Sequence, residues 1–258
     1  MWSQERHTRI LALLSERQRL TTEMFAAELG VSKETVRRDL IELEQHGKLS
    51  RVHGGAIPND PKNALPEASY RERARMQRSE KQAIARAAAA LIEPGQTCFI
   101  DAGSTTHALA QALAEAAPHG VRVITNSFDV ALSLNGRPEI EVHQLGGQLD
   151  KDMPATYGEF TVAEIARLHV DLALISPTAL CPQRGAMDYA WHEAGVARAM
   201  IAHARSCVLL ADASKLGASS RMQVCAPAAV DILVTDGSAD AEVLQALRDA
   251  GTGRVILA

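Results

Sequence analysis

Seven short apolar runs, spaced along the last two-thirds of the chain, constrain its fold more than any other feature. They are TCFI (97–100), VRVIT (121–125), EVHQL (141–145), DLALI (171–175), CVLLA (207–211), DILVT (231–235) and VIL (255–257). Each suits a strand, and the alanine-rich stretches between several of them suit crossover helices. Near-continuous apolar strands need cover on both faces, so the pattern predicts an α/β fold with a Rossmann-like, mostly parallel sheet over residues 80–258. A hydrophobic content of 47% with only 3% aromatic residues fits close packing through alanine. At 258 residues the chain has room for a second domain.

That domain reads out of residues 1–57, which are dense in charge and short helical patterns. Between the two, residues 58–79 read as a linker, because Pro58, Pro61 and Pro66 cannot continue a helix. In the N-terminal part, Ile10, Leu13 and Leu14 fall at helical spacing. Thr21 is an N-cap for TEMFAAEL, Gly30 stops that helix, and Ser32 caps the next. Two helices joined by a tight turn containing glycine form a helix-turn-helix. In the following helix Val36, Leu40 and Leu43 share one stripe and face the core. Glu34, Arg38 and Gln45 then lie opposite, with Lys33, Thr35 and Arg37 on the flanks. Arg37 and Arg38 can meet phosphates or a guanine edge in a major groove. KLSRVHGGA (48–56) alternates enough for a small β-wing carrying Arg51 and His53. The net charge of −4 means that any basic surface is local to this region.

The stretch VSKETVRRDLIELEQHGKLSRVHGGA resembles the winged helix-turn-helix of the DeoR family of bacterial transcriptional regulators. The resemblance implies that Ser32, Lys33, Glu34, Thr35, Arg37 and Arg38 form the DNA-facing start of the recognition helix, with Arg51 and His53 in the wing.

In the body, IDAGSTTHALAQAL (100–113) passes from strand through a small hydroxyl-rich loop into a helix. Gly103 lets backbone approach a ligand, Ser104, Thr105 and Thr106 supply hydroxyls, and the helix N-terminus favours an anion. The loop lacks the GK[ST] of a Walker A motif. Thr125-Asn126-Ser127 follows the next run and Gly146-Gly147 the one after. In a parallel sheet these loops emerge on one edge, where Lys215 of ADASKLG could add a positive charge.

These landmarks also resemble the DeoR effector domain, whose fold is similar to ribose-5-phosphate and glucosamine-phosphate isomerases and which typically senses phosphorylated sugars. Carried across by position, Asp101, Gly103, Ser104, Thr105, Thr106, Asn126, Ser127, Gly146, Gly147 and Lys215 are the implied ligand contacts. Two positions depart from the family pattern. Asp150 stands near the place of an arginine after the double glycine, and Ser176-Pro177-Thr178-Ala179 replaces a glycine-rich turn. Asp188, His192 and Glu193 add a polar rim.

The expected function is a DNA-binding transcriptional regulator, a repressor of a carbohydrate operon modulated by a phosphorylated sugar or similar small anion. It would act as a homo-oligomer on double-stranded operator DNA. The alternative is an isomerase- or deaminase-like enzyme with an accessory DNA-binding head. Asp101, Asp212, Glu193 and His192 are available in kind for that, but no pair of them falls at a spacing that demands catalysis. A third reading keeps the head and leaves the body to oligomerisation alone. No cofactor or metal is expected, since the four cysteines are scattered without a C-x-x-C. Scattered cysteines, the lack of an apolar run of about 18 residues and the lack of a signal peptide together suggest the cytoplasm.

Overall fold

A computed structural model describes residues 3–17, 20–45, 48–52, 54–58 and 68–258. The chain divides into two compact units, Met1–Pro66 and Glu67–Ala258.

The smaller unit runs α1 (Ser3–Arg17), β1 (Leu20–Thr21), α2 (Thr22–Leu29), α3 (Lys33–Gln45), β2 (Leu49–Val52) and β3 (Gly55–Pro58). Helix α2 begins where Thr21 Oγ1 accepts the Met24 N–H at 3.2 Å, and it ends at Gly30, whose φ is 64°. Ser32 Oγ accepts the Thr35 N–H at 3.1 Å and starts α3. Val36, Leu40 and Leu43 of α3 are buried against Ile10, Leu14 and Phe25, as the stripe requires. Strands β2 and β3 form the wing, with Val52 opposite Gly55, and β1 pairs on the other side of β3. The double glycine is a steric demand. Gly54 turns the chain with φ +81°, and a Cβ on Gly55 would lie 2.1 Å from the Leu20 carbonyl oxygen.

One ion pair ties this unit together. Arg6 on α1 donates to both carboxylate oxygens of Asp39 on α3, at 2.7 and 2.8 Å, and Asp39 is only 3% exposed. His7 lies 3.2 Å from the same carboxylate. Burial alone would raise the Asp39 pKa, but Arg6 and His7 outweigh it and hold the carboxyl below its usual value.

The larger unit opens with α4 (Tyr70–Arg75) and α5 (Arg78–Ala89). It continues β4 (Thr97–Ile100), α6 (Ser104–Ala116), β5 (Val121–Thr125), α7 (Phe128–Leu134) and β6 (Ile140–Gln144). A short pair, β7 (Gln148–Leu149) and β8 (Thr156–Tyr157), precedes α8 (Glu159–Ile165) and β9 (Val170–Ile175). Then come β10 (Ala179–Cys181), β11 (Gly185–Asp188), α9 (Trp191–Ala202), β12 (Ala204–Leu210) and β13 (Met222–Cys225). The chain ends with β14 (Ile232–Thr235), α10 (Ala241–Asp249) and β15 (Arg254–Leu257).

The seven apolar runs are the seven strands of one sheet, in the order β15-β14-β12-β9-β4-β5-β6, every neighbouring pair parallel. Alternate strand residues feed two cores. Cys98 and Ile100 point toward α5, α6 and α7, whereas Phe99 points toward α8, α9 and α10. The chain adds β5 and β6 on one side of β4, then returns to place β9 on the other. The switch point of the sheet therefore lies between β4 and β9. Strands β10, β11 and β13 make a small antiparallel sheet that no hydrophobic alternation announced.

Residues 70–75 lie inside the stretch expected as linker yet form α4. A capping box between Ser69 and Glu72 starts the helix, and its prolines all precede it. Tyr70 is buried, its hydroxyl donates to Asp129 of α7, and its N–H donates to Asp152 Oδ2 at 2.7 Å.

Replacing Asp39 by alanine should destabilise the smaller unit by about 1.5–3 kcal/mol, the net worth of hydrogen bonds to a charged group. Urea unfolding followed through that unit's transition measures this. Because the folded pKa is depressed, the wild-type advantage is full above the unfolded value near 3.8 and vanishes as pH falls through the folded one. An advantage independent of pH would contradict the assignment.

Candidate functional site

Strands β12, β9 and β4 are neighbours, and their carboxyl ends release Ala211-Asp212, Ser176-Pro177 and Asp101-Ala102 on one edge of the sheet. A cavity of about 180 Å³ opens there, beside the switch point. It is small against the ~300–1,000 Å³ of drug-sized pockets and suits a compact metabolite. Asp101, Gly103 and Ser104 line it from the start of α6, and Lys215 lines it from the loop after β12. A Cβ on Gly103 would come 3.2 Å from Thr106 Oγ1, so only glycine leaves this approach open without a shift.

Lys215 is fixed by the loop that departs from the family pattern. Its Nζ donates to Ser176 Oγ at 3.0 Å and to the Pro177 carbonyl at 2.7 Å. The stiff Ser-Pro turn thus supplies a carbonyl and a hydroxyl that hold a cation, where a glycine-rich turn would offer bare backbone. The next residues orient an acid: Thr178 donates its N–H to Asp188 Oδ1 at 2.9 Å. Asp188 and Glu193 both line the cavity; His192 does not, pairing instead with Asp150 at 3.0 Å.

Three further groups enter from the helices that open this unit. Arg73 of α4, Gln77 just before α5 and Lys81 of α5 line the same cavity. Lys81 is 5% exposed, and its Nζ donates to the Arg73 carbonyl oxygen. Burial and the nearby charge of Lys215 lower its pKa to about 8, against a partial upward pull from Asp212. Asp101 moves the other way. Burial, then repulsion by Asp188, raises its carboxyl well above the usual range, although the Ala102 N–H at 2.8 Å opposes this. A lysine whose charge is disfavoured by burial and an acid reluctant to lose its proton face the same small space. An anion with hydroxyl groups complements both.

Other residues expected in the seat are placed differently. Thr105 and Thr106 are wholly buried on the inner side of α6, and Thr106 Oγ1 donates to the Gly103 carbonyl at 3.0 Å. Asn126 Nδ2 donates to the Thr156 carbonyl, and Ser127 caps α7 by accepting the Val130 N–H. The Asn126 Oδ1 has no partner among the described residues. Gly146 and Gly147 line a separate open groove against α8, where Gly146 N–H donates to Glu164 Oε2 at 3.0 Å. A side chain on Gly147 would collide with Thr161 Oγ1 at 2.1 Å, at a φ of +146°. None of these residues lines the cavity.

Sequence reasoning missed Lys81, although a signal existed. In KQAIARAAA the lysine occupies the same helical stripe as Ile84, Ala85, Ala88 and Ala89, all buried. A lysine in a core stripe is rare unless something requires it. Asp150, in the place of the family's arginine, accepts the N–H groups of Asp152 and Met153 at 2.8 and 2.9 Å and shapes its own loop.

In the smaller unit, Arg37 and Arg38 project from the first turns of α3 with side chains 70% and 81% exposed. Glu34 lies between them at 4.0 and 3.9 Å, loosely enough to leave both guanidinium groups available. Ser32 caps the helix, Thr35 sits beside it, and Lys33 pairs with Glu23 at 2.8 Å. Arg51 lies in β2 with its side chain outside the described residues, and His53 lies outside them altogether.

Comparison with known proteins matches residues 6–62 to the DeoR-like helix-turn-helix domain and residues 76–237 to the DeoR C terminal sensor domain. The chain is 36% identical to the HTH-type transcriptional repressor GlcR of Bacillus subtilis, over 92% of this chain and 89% of that one. It is 31% identical to the glycerol-3-phosphate regulon repressor of Escherichia coli, over 95% of each. A solved structure, a probable sor operon regulator from Shigella flexneri, aligns with 80% of this chain and 97% of its own at 14% identity and a TM-score of 0.43. No helix among the described residues is long and apolar enough to cross a membrane.

Two outcomes test the cavity. Lys81→Gln should weaken binding of a phosphorylated ligand about ten- to a hundredfold, equivalent to a charged hydrogen bond of about 1.5–3 kcal/mol, measured by calorimetry. Wild-type affinity should also fall as pH rises through about 8, since Lys81 then loses the charge that attracts the anion. Binding near and above that pH should take up protons, visible as a dependence of the measured heat on the buffer. Affinity that is flat across this range would remove Lys81 from the seat.

Proposed function

Since the chain belongs to the DeoR family of transcriptional regulators, we propose that it represses a carbohydrate-related operon and that a phosphorylated sugar in the larger unit sets its affinity for DNA. The observation that carries this reading is the cavity at the switch point, where Lys81, Lys215 and Arg73 share one small space with Asp101, Asp188 and Glu193. Lysines and arginine suit the phosphate, with the N–H groups at the start of α6 as further donors. The carboxyl groups suit sugar hydroxyls. The relatives named above are called repressors, one of them of a glycerol-3-phosphate regulon, which fits a small phosphorylated effector.

On the DNA side, Arg38 and Arg37 read or anchor the major groove from the start of α3, with Ser32, Lys33, Glu34 and Thr35 around them. Arg51 and His53 contribute from the wing. Two copies of the chain bind a pseudo-palindromic site, as helix-turn-helix proteins usually do. The ligand acts by linkage: it shifts DNA affinity only by as much as it prefers one conformation of the protein over the other.

Gel shift with DNA from the gene's own upstream region, repeated with a panel of sugar phosphates, tests the reading. Specific binding that one sugar phosphate alters, with that sugar recovered unchanged, supports it. Absence of specific binding sinks it, and turnover of the sugar would favour an enzyme. Arg38→Ala should cost about 1–3 kcal/mol of specific affinity and leave ligand binding intact. Lys215→Ala should blunt the ligand response while operator binding persists; a full response in that variant would remove Lys215 from the seat.

A further inference from the structure

Two of the four cysteines, on strands of different sheets, meet inside the larger unit. Cys207 of β12 is buried in the core that α8, α9 and α10 cover, and Cys225, the last residue of β13, packs against that core. All four thiols are free, and the Cys207 S–H donates to the Cys225 sulfur. Strand β12 belongs to the seven-stranded sheet and β13 to the small antiparallel one, so this contact bridges the two. Backbone fixes both ends of it. The Cys207 N–H donates to Asp231 Oδ2 at 2.7 Å, and its carbonyl oxygen accepts the Asp231 N–H at 3.1 Å. Cys225 stands near Ala186 across the small sheet, and a Cβ on Gly185 would lie 2.1 Å from the Cys225 carbonyl oxygen. The two sulfurs differ in character. The hydrogen bond to Cys225, then burial, keeps the proton on Cys207. Cys225 is half-buried, and its sulfur accepts from both Cys207 and the Ala186 N–H. Together these outweigh burial and the Asp188 charge and lower its pKa.

We propose that Cys225 and Cys207 are a peroxide-reactive pair, Cys225 attacking and Cys207 resolving, whose product is a disulfide between the two sheets. The reaction has two steps. The Cys225 thiolate attacks one oxygen of hydrogen peroxide, the O–O bond breaks, and the departing hydroxide takes a solvent proton, leaving a sulfenic acid. The Cys207 sulfur then attacks the Cys225 sulfur, the S–O bond breaks, and the hydroxyl leaves as water with the Cys207 proton. The sulfurs give up two electrons and the peroxide becomes two waters. Thiols already in hydrogen-bond contact have only a short way to move to a bond of about 2.05 Å. The consequence reaches the ligand seat. Asp212, Ser214 and Lys215 lie between the two cysteines in the chain and line the cavity, so the disulfide closes a covalent loop around that wall. The other thiols lack this arrangement. Cys98 sits in the opposite core, where burial and the Asp171 charge push it up to about 12, and Cys181 is buried beside the Ser219 hydroxyl at 3.6 Å.

The wild-type full chain suffices for the main test. The reduced protein is treated with hydrogen peroxide, alkylated in denaturant and digested with trypsin, all without reductant. Trypsin cuts after Arg205, Lys215, Arg221 and Arg248. The expected product is peptide 206–215 joined to peptide 222–248, two hydrogens lighter than their sum and separated by dithiothreitol. Cys98 and Cys181 should carry the alkyl label in the same digest. Two variants assign the roles. Cys207→Ala should stop at a Cys225 sulfenic acid that dimedone labels, whereas Cys225→Ser should slow oxidation of Cys207 by about tenfold or more. Hydrogen exchange of the backbone amides across 211–221 should slow several-fold in the oxidised protein and recover with reductant. Peptides that stay unjoined after peroxide, or a disulfide that takes in Cys98 or Cys181, overturn the proposal. Rapid oxidation of Cys207 in Cys225→Ser overturns the order of attack. Unchanged exchange across 211–221 overturns the hold on the cavity wall. Neither operator binding nor the choice of effector enters these readouts, so they stand or fall apart from the proposed function.

Discussion

In a sheet whose strands all run the same way, every strand releases its chain on the same edge, and much of this protein's organisation follows from that constraint. The carboxyl ends of β4, β9 and β12 are adjacent, so Asp101, Ser176 and Asp212 reach one cavity although the sequence separates them widely. The same constraint limits the site. Strands lie about 4.8 Å apart, so the loop after β6 starts about 14 Å from the end of β9. Gly146 and Gly147 accordingly shape a different groove. The cavity sits where the winding reverses, between strands whose following loops diverge and leave space.

Charge gives that space its character. Burial lowers the Lys81 pKa and raises that of Asp101, so the charged form of each group is disfavoured there. Oppositely perturbed groups of this kind cluster at functional sites, which supports the proposed ligand seat. In the proposed complex an anion would stabilise the charge of Lys81 and a sugar hydroxyl would pair with Asp101. Arg73, which also lines the cavity, lies on α4, close after the prolines that separate the two units.

Much of the fold was legible because it depends on local rules. Apolar runs became strands, Thr21 and Ser32 became caps, Gly30 became a stop, and the stripe of Val36, Leu40 and Leu43 became core. Strand order was not legible, and with it went the difference between loops that share an edge and loops that share a cavity. Asn126, Ser127, Thr105 and Thr106 have the right chemistry, but hydrogen bonding and burial commit them to bracing helices and strands. Helix α4 was hidden by the prolines before it, and β10, β11 and β13 by their brevity. Lys81 was hidden by its ordinariness, since a lysine on a helix is normally solvated. Only its place in an alanine and isoleucine stripe gave it away.

In the proposed mechanism the larger unit is occupied, not reactive, and its occupancy is linked to DNA binding. Calorimetric titration of the active sugar phosphate into free protein and into operator-bound protein tests this most directly. The two affinities should differ by the same factor by which the sugar changes operator affinity, because linkage between two sites is reciprocal. Equal affinities in the two titrations, alongside intact operator binding, would rule out such linkage.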